Sequence, residues 1–159
     1  MTIALGINWE SNMKKVIFSL NAVAFLVVSL FSFSVLAQDV KNVEKVASGE
    51  LTPAFSSWGK KSVVGSWEIV KDQEQYFIVL GEDFSAKDGP DVKVFLSPMS
   101  ANEVTGNNAT EGSVLITEIT RFKGQYRIAV PKNVNPDDFQ SLVFHCEAYS
   151  KLWGASSLR

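Results

Sequence analysis

His145 and Cys146 are the residues of this chain best suited to chemistry, and they are adjacent. The 159-residue chain contains one histidine and one cysteine, and both lie in the stretch FQSLVFHCEAYS, residues 139–150. A thiolate can ligate haem iron or another metal, or exchange with a partner's disulfide, and an imidazole can also ligate iron. Met99 offers another soft donor. Cys146 is therefore a redox candidate, and His145 and Met99 are candidate ligands of a cofactor such as haem.

The same stretch also has the alternation of a β-strand, which gives Cys146 a second interpretation. Successive side chains of a strand point to opposite faces. One face would carry Leu142, Phe144, Cys146 and Ala148, and the other Val143, His145, Glu147 and Tyr149. The first face is apolar and is predicted to face the core, where free cysteines usually lie. His145 would then point away from the thiol and could activate it only through a bulge. The sequence leaves a packing role and a redox role open.

The loop from Gly81 to Asp91 contains a second group of candidate ligands. Its four carboxylates, from Glu82, Asp83, Asp88 and Asp91, supply oxygen donors of the kind that Ca²⁺ prefers. The order of these acids is not that of an EF-hand loop. Aspartate beside Gly-Pro is also typical of a tight turn, since Asp bonds nearby backbone and Pro fixes φ. The loop is therefore either a cation site or a turn.

Composition and missing motifs argue against several classes of function. The formal net charge is −2, which provides no basic field for nucleic acid. A single cysteine excludes the Cys-x-x-Cys and Cys-x-x-Cys-His patterns of dithiol couples and covalent haem. No Gly-x-Ser-x-Gly elbow is present, so an enzyme is not expected. Trp58 and Trp153 lie outside the strongest strand patterns and are candidates for stacking on a ligand.

The amino-terminal part predicts export. Lys14 and Lys15 precede an apolar run over residues 16–37, which ends in Val-Leu-Ala before polar Gln38. This order is typical of a secretory signal peptide. We assign residues 13–37 to the signal and residues 1–12 to a start placed too early. The predicted location is periplasmic or secreted, without a stable membrane anchor after cleavage. A retained membrane helix over residues 16–37 is the alternative.

The remaining chain predicts an all-β domain. Residues 38–61 are polar and weakly patterned, and we interpret them as a lead-in. From residue 62 to 159, runs of five to nine residues rich in Val, Ile, Phe and Tyr are separated by Gly, Pro, Asn and Asp. This pattern favours an antiparallel β-sandwich, or a barrel-like fold, of about seven to nine short strands. Residues 99–112 are predicted to form a long mobile loop.

Several ordered elements of this region resemble the electron-transfer DM13 domain family. They are Asp83-Phe84, Gly89-Pro90-Asp91, Leu96-Ser97, Gly124-Gln125-Tyr126, Pro131, Cys146 and Trp153-Gly154-Ala155. The resemblance extends from about Val64 to Leu158. It implies a secreted or surface β-domain, sometimes found beside haem-binding domains, with an electron-transfer role attributed to its lone cysteine. His145 departs from the family, which usually has an aromatic or aliphatic residue there.

Two functions are consistent with these observations. The first is an exported accessory domain that acts in electron transfer or thiol redox through Cys146, with a redox partner outside the cytoplasm. The second is a binding or adhesion module that has Cys146 in its core and contacts a protein partner through its loops.

Overall fold

The computed structural model describes residues 43–54 and 62–159 of the chain. The predictions for residues 1–12, for the signal segment 13–37 and for Trp58 lie outside the described residues. Within them, no helix is long and apolar enough to cross a lipid bilayer.

The described chain is built from short strands with two 3₁₀ helices. The strands are β1 Val43–Glu50, β2 Thr52–Pro53, β3 Val63–Val64, β4 Ser66–Asp72, β5 Gln75–Leu80, β6 Ser85–Ala86, β7 Val92–Ser97, β8 Val114–Glu118, β9 Tyr126–Ala129, β10 Ser141–Cys146 and β11 Lys151–Ser157. The 3₁₀ helices are η1 Pro136–Asp138 and η2 Glu147–Tyr149.

The strands form two antiparallel sheets. Sheet A has the order β1-β4-β5-β9, and sheet B has the order β2-β11-β10-β7-β8. A short ribbon pairs β3 with β6. The predicted all-β antiparallel sandwich is confirmed, as two sheets rather than a closed barrel. Eight of the described strands have four or more residues, which agrees with the predicted seven to nine.

Alternation along the strands supplies the core from both sheets. Sheet A contributes Trp67 and Ile69 from β4, with Ile78 and Leu80 opposite them on β5. Sheet B contributes the alternate residues of β7 and β10. Burial of these side chains removes apolar surface from water at roughly 25 cal/mol per Å², and it joins the two sheets into one body.

Two strands of more than two residues were not expected from the sequence. The supposed lead-in contains β1, which pairs with β4 along its whole length and lies in the same compact unit, Lys41–Arg159. The tail after Cys146 contains β11, which pairs with β10. The strand expected to continue through Tyr149 instead ends at Cys146, because η2 follows and Ser150 adopts a left-handed conformation with φ of 48°.

Gly154 of β11 is required by close packing. A Cβ at this position would lie 2.4 Å from Cγ1 of Val63 and 2.5 Å from the carbonyl oxygen of Thr52. Both neighbours are held by strand pairing, so neither can move aside without disturbing a strand.

We therefore expect Gly154→Ala to destabilise the protein by about 1–3 kcal/mol, through overpacking. The measurement is the midpoint of urea unfolding, compared with the wild type and with Lys151→Ala, a substitution at an exposed position of the same strand. An unchanged midpoint in Gly154→Ala would contradict the described packing of β11 on β2 and β3.

Candidate functional site

β10 places both chemically distinctive residues at the centre of sheet B. It lies between β7 and β11 and is antiparallel to both. All six of its side chains are buried, including those of His145 and Cys146. Most strands of a two-layer sandwich have one solvated face. Burial of both faces means that neither residue reaches solvent directly in this structure.

Cys146 lies on the core face, as the alternation predicted. It is fully buried and belongs to the main hydrophobic cluster with Leu142 and Phe144. Its register partners are Val92 on β7 and Lys151 on β11. The chain has no second cysteine, so this thiol cannot form an internal disulfide.

His145 lies on the opposite face of the same sheet, 4% exposed. Its ring packs edge-on against Phe95, with 6.4 Å between ring centroids. Its Nε2 is 2.9 Å from the carbonyl oxygen of Gly106. A carbonyl only accepts, so Nε2 donates this hydrogen bond. Nδ1 is buried and has no hydrogen-bond partner within the described part of the chain. The sheet backbone separates this imidazole from the thiol of Cys146.

Met99 lies beside the start of β10, whereas His145 lies near its end. The backbone carbonyl of Met99 accepts a hydrogen bond from Oγ of Ser141, at the first residue of β10. His145 is four residues further along the strand, which corresponds to about 13 Å. Cys146 and His145 thus point to opposite faces of sheet B, and Met99 packs against the cluster on the His145 face, so the three residues do not line one common site.

A cluster of ion pairs closes the end of β10 beside Cys146. Nζ of Lys93 contacts the carboxylates of Asp91, at 3.0 Å, and of Glu147. Hydrogen bonds to Glu147 and then to Asp91 raise the pKa of Lys93. The backbone N–H of Glu147 also donates to the carbonyl of Asp91, at 3.1 Å. These contacts fix η2, the turn that follows the thiol. Sequence reasoning missed this role of Lys93, whose only signal was a charge within an apolar strand.

The four carboxylates of the predicted cation loop do not converge. Both Asp83 oxygens accept from the backbone N–H of Ser66, and Oδ1 also accepts from its hydroxyl at 2.7 Å. Asp91 is paired with Lys93, and Glu82 and Asp88 are exposed. Within residues 43–54 and 62–159, no three His, Cys, Asp or Glu side chains form a group that could hold a metal ion. Asp83 thus ties the loop to the start of β4.

A separate cavity of about 410 Å³ lies beside β1, β4 and β5. Its lining residues are Ser48, Gly49, Glu50, Ser66, Trp67, Glu68, Val79, Gly81 and Gln125. None of the residues predicted as site residues is among them. Trp67 is, and its Nε1 has no hydrogen-bond partner in the described chain. Trp153, the other stacking candidate, is buried and donates from Nε1 to the carbonyl of Lys87, at 2.8 Å.

Taken together, the fold and the site define a class of protein. It is an antiparallel β-sandwich with a single thiol buried at the end of a central strand. The profile of the family described as electron transfer DM13 matches residues 54–158. The chain belongs to this family, which supports a general role in electron transfer. No curated protein and no solved structure shows a significant match to the chain.

The contact between Asp83 and Ser66 generates a prediction about acid stability. Hydrogen bonds from the Ser66 hydroxyl and backbone lower the pKa of Asp83 from its ordinary value of 3.8. A lowered pKa in the folded state adds stability above the unfolded pKa, and this stability is lost as pH falls through the folded value. We expect Asp83→Asn to be less stable than the wild type at neutral pH, with the difference shrinking below about pH 4.

The measurement is the urea midpoint of both proteins from neutral pH down to about pH 2. Asp88→Asn, in the same loop and also exposed but without the contact to Ser66, serves as the control and should track the wild type throughout. A difference between Asp83→Asn and the wild type that does not change with pH would contradict the assignment.

Proposed function

We propose that this protein is an exported accessory domain that transfers electrons through thiol–disulfide exchange at Cys146. The observation that carries the proposal is the position of the chain's single thiol, at the end of the central strand of an electron transfer DM13 domain. In the exchange, the Cys146 thiolate attacks one sulfur of a partner's disulfide. A mixed disulfide forms, and the partner's second sulfur leaves as a thiolate. A thiolate of a small-molecule donor then attacks the Cys146 sulfur and releases the partner as a dithiol. A second donor thiolate attacks the donor sulfur of this new mixed disulfide, so the donor leaves as a disulfide, Cys146 returns as a thiolate, and two electrons have passed from donor to partner.

The proposal requires local opening, because Cys146 is fully buried in the closed structure. The shortest route to the thiol is through η2, since this turn follows it directly in the chain. Residues 147–150 are all exposed, and the turn is held by Lys93 and by a backbone hydrogen bond. Elements with few buried contacts open more readily than core strands. A docked partner that displaces η2 would gain access to the sulfur without separating the sheets.

The second candidate function is a protein-binding module in which Cys146 only packs. The complete burial of the thiol among apolar side chains favours it, because free cysteines in such surroundings behave as small hydrophobes. The partner would then contact loops or exposed aromatic groups such as Tyr149, which is 62% exposed. Stability does not separate the two candidates, since a buried residue contributes to packing under both.

Substitution of Cys146 separates the two candidates. Cys146→Val keeps an apolar side chain of similar size but removes the sulfur, whereas Cys146→Ser should cost roughly 1–2 kcal/mol because it buries a hydroxyl. Under the redox proposal, the folded wild type forms a mixed disulfide with glutathione disulfide, detected by intact mass, and Cys146→Val forms none. Urea unfolding of each variant provides the stability control.

A wild-type thiol that reacts only at urea concentrations that unfold the protein would contradict the exchange proposal and favour the binding module. A wild type that reacts while folded, with Lys93→Met reacting faster, would support access through η2, because Lys93 anchors this turn.

Export is proposed on the sequence pattern alone, and it makes a separate prediction. We expect the mature protein to begin at Gln38, because Val-Leu-Ala before it fits the small-residue pattern of signal cleavage. The measurement is the intact mass and amino-terminal sequence of protein recovered from outside the cytoplasm. Recovery of the protein in the membrane fraction with residues 16–37 still attached would contradict cleavage and support the retained helix.

A further inference from the structure

Residues 99–112 form a compact loop on the outer face of sheet B, and we call this segment the cover. Its ends meet: a Cβ on Gly112 would lie 3.2 Å from Cγ of Pro98, the residue that precedes the cover. Gly112 has a positive φ of 65°, a conformation that favours glycine. A loop of this length with adjoining ends is an Ω-loop. Such ends form a natural hinge, since a small backbone rotation there moves the whole segment.

Hydrogen bonds within the cover hold it together as a unit. The side chain of Asn108 accepts from the backbone N–H of Thr105, at 2.6 Å, and donates to the carbonyl of Glu103, at 3.1 Å. The N–H of Glu111 donates to the carbonyl of Asn108, at 2.9 Å. These bonds do not involve the sheet, so they need not break if the cover moves as a body.

The underside of the cover packs on the sheet through small side chains. Val104 and Ala109 are buried against Phe95, Val143 and Ala155, in a cluster separate from the main core. This cluster explains why both faces of β10 are buried. The predicted long loop is confirmed as a segment without strands, but it is packed rather than free of the sheet.

Between its ends, the cover is joined to the described sheet by one side-chain hydrogen bond. This is the bond from Nε2 of His145 to the carbonyl of Gly106. Gly106 also lies close to the chain after η2, since a Cβ there would be only 2.2 Å from the carbonyl oxygen of Ser150. A single polar bond at the middle of an otherwise apolar contact acts as a latch.

The latch has a built-in cost in the closed state. Nδ1 of His145 is buried without a partner, and a buried polar group that is not hydrogen-bonded loses free energy relative to its hydrated form. When the cover opens, water reaches Nδ1 and recovers that loss. This cost offsets part of the stabilisation that the bond between Nε2 and the Gly106 carbonyl gives to the closed state.

We infer that the cover opens as a unit about Pro98 and Gly112, with the bond between His145 and Gly106 as its latch, and exposes the apolar face formed by Phe95 and Val143. This opening leaves the core and Cys146 closed. It differs from the proposed thiol exchange, because it exposes the other face of β10 and no thiol.

Two thiols on the same strand test this inference. Val143→Cys places a reporter beneath the cover, in a Cys146→Ala background so that it is the single thiol. The native Cys146 of the wild type reports opening of the core face. Each protein is treated with a thiol reagent such as 5,5′-dithiobis(2-nitrobenzoate) in native buffer and at low urea concentrations. We expect the cysteine at 143 to react much faster than Cys146, with little dependence on urea, as local opening exposes little surface.

Latch variants then test the role of His145. His145→Phe keeps a ring against Phe95 but removes the donor, leaving the Gly106 carbonyl unpaired, so labelling at 143 should rise by about tenfold. Gly106→Ala should raise it as well, because its Cβ cannot fit beside Ser150. As a control, the same latch substitution is made in the wild type, where native Cys146 is the single thiol. The ratio of the labelling rate at 143 to the labelling rate at Cys146 corrects for any loss of global stability.

Labelling at 143 that is no faster than at Cys146 and has the steep urea dependence of global unfolding would overturn the inference. Latch variants that leave the ratio unchanged would overturn the role of His145. If Val143→Cys does not fold, Ala155→Cys offers a second reporter in the same cluster beneath the cover, read in the same way.

Discussion

The structure depends on the burial of β10 on both of its faces. Ser141 to Cys146 are flanked by hydrogen-bonded strands on both sides and are covered above and below. The sandwich core covers one face and the loop of residues 99–112 covers the other. A strand in this position can carry no unpaired charge without a large desolvation cost. His145 and Cys146 are adjacent on this strand, so their side chains point to opposite faces. Cys146 lies in the core, and His145 lies beneath the loop of residues 99–112.

This separation determines what chemistry the site supports. Among the described residues, the thiol packs with apolar side chains on the core face, and the imidazole is bound to Gly106 on the other face. His145 and Cys146 are neighbours in the sequence, but their side chains lie on opposite sides of sheet B. We propose a separate opening motion for each group: displacement of the η2 turn for Cys146 and opening of the Ω-loop for His145. The ion pairs of Lys93 stabilise η2, and apolar packing together with the bond between His145 and Gly106 holds the loop of residues 99–112 on sheet B.

The sequence predicted the sandwich and the face of Cys146, because period-2 alternation is strong in β4, β7 and β10. It did not predict β1, where a register irregularity between Lys45 and Ala47 disrupts the alternation. It also did not predict β11, because this segment contains Gly154 and few residues that favour strands. A register irregularity opposite Phe144 and His145 further disrupts its alternation. The contact of His145 with Gly106 joins residues 39 apart, and no local pattern encodes such a contact. Pairing and packing decide these features.

The most direct test of the buried central strand is residue-resolved amide hydrogen exchange, measured by NMR in native buffer. Core amides that exchange only on global unfolding report the full stability of the fold. If β10 is buried on both faces, its amides are among the slowest in the chain, slower than those of the edge strands β1 and β8. Rapid exchange along β10, with slower exchange at these edges, would contradict this burial, because it would show that neither the core nor the cover protects the strand that carries both candidate residues.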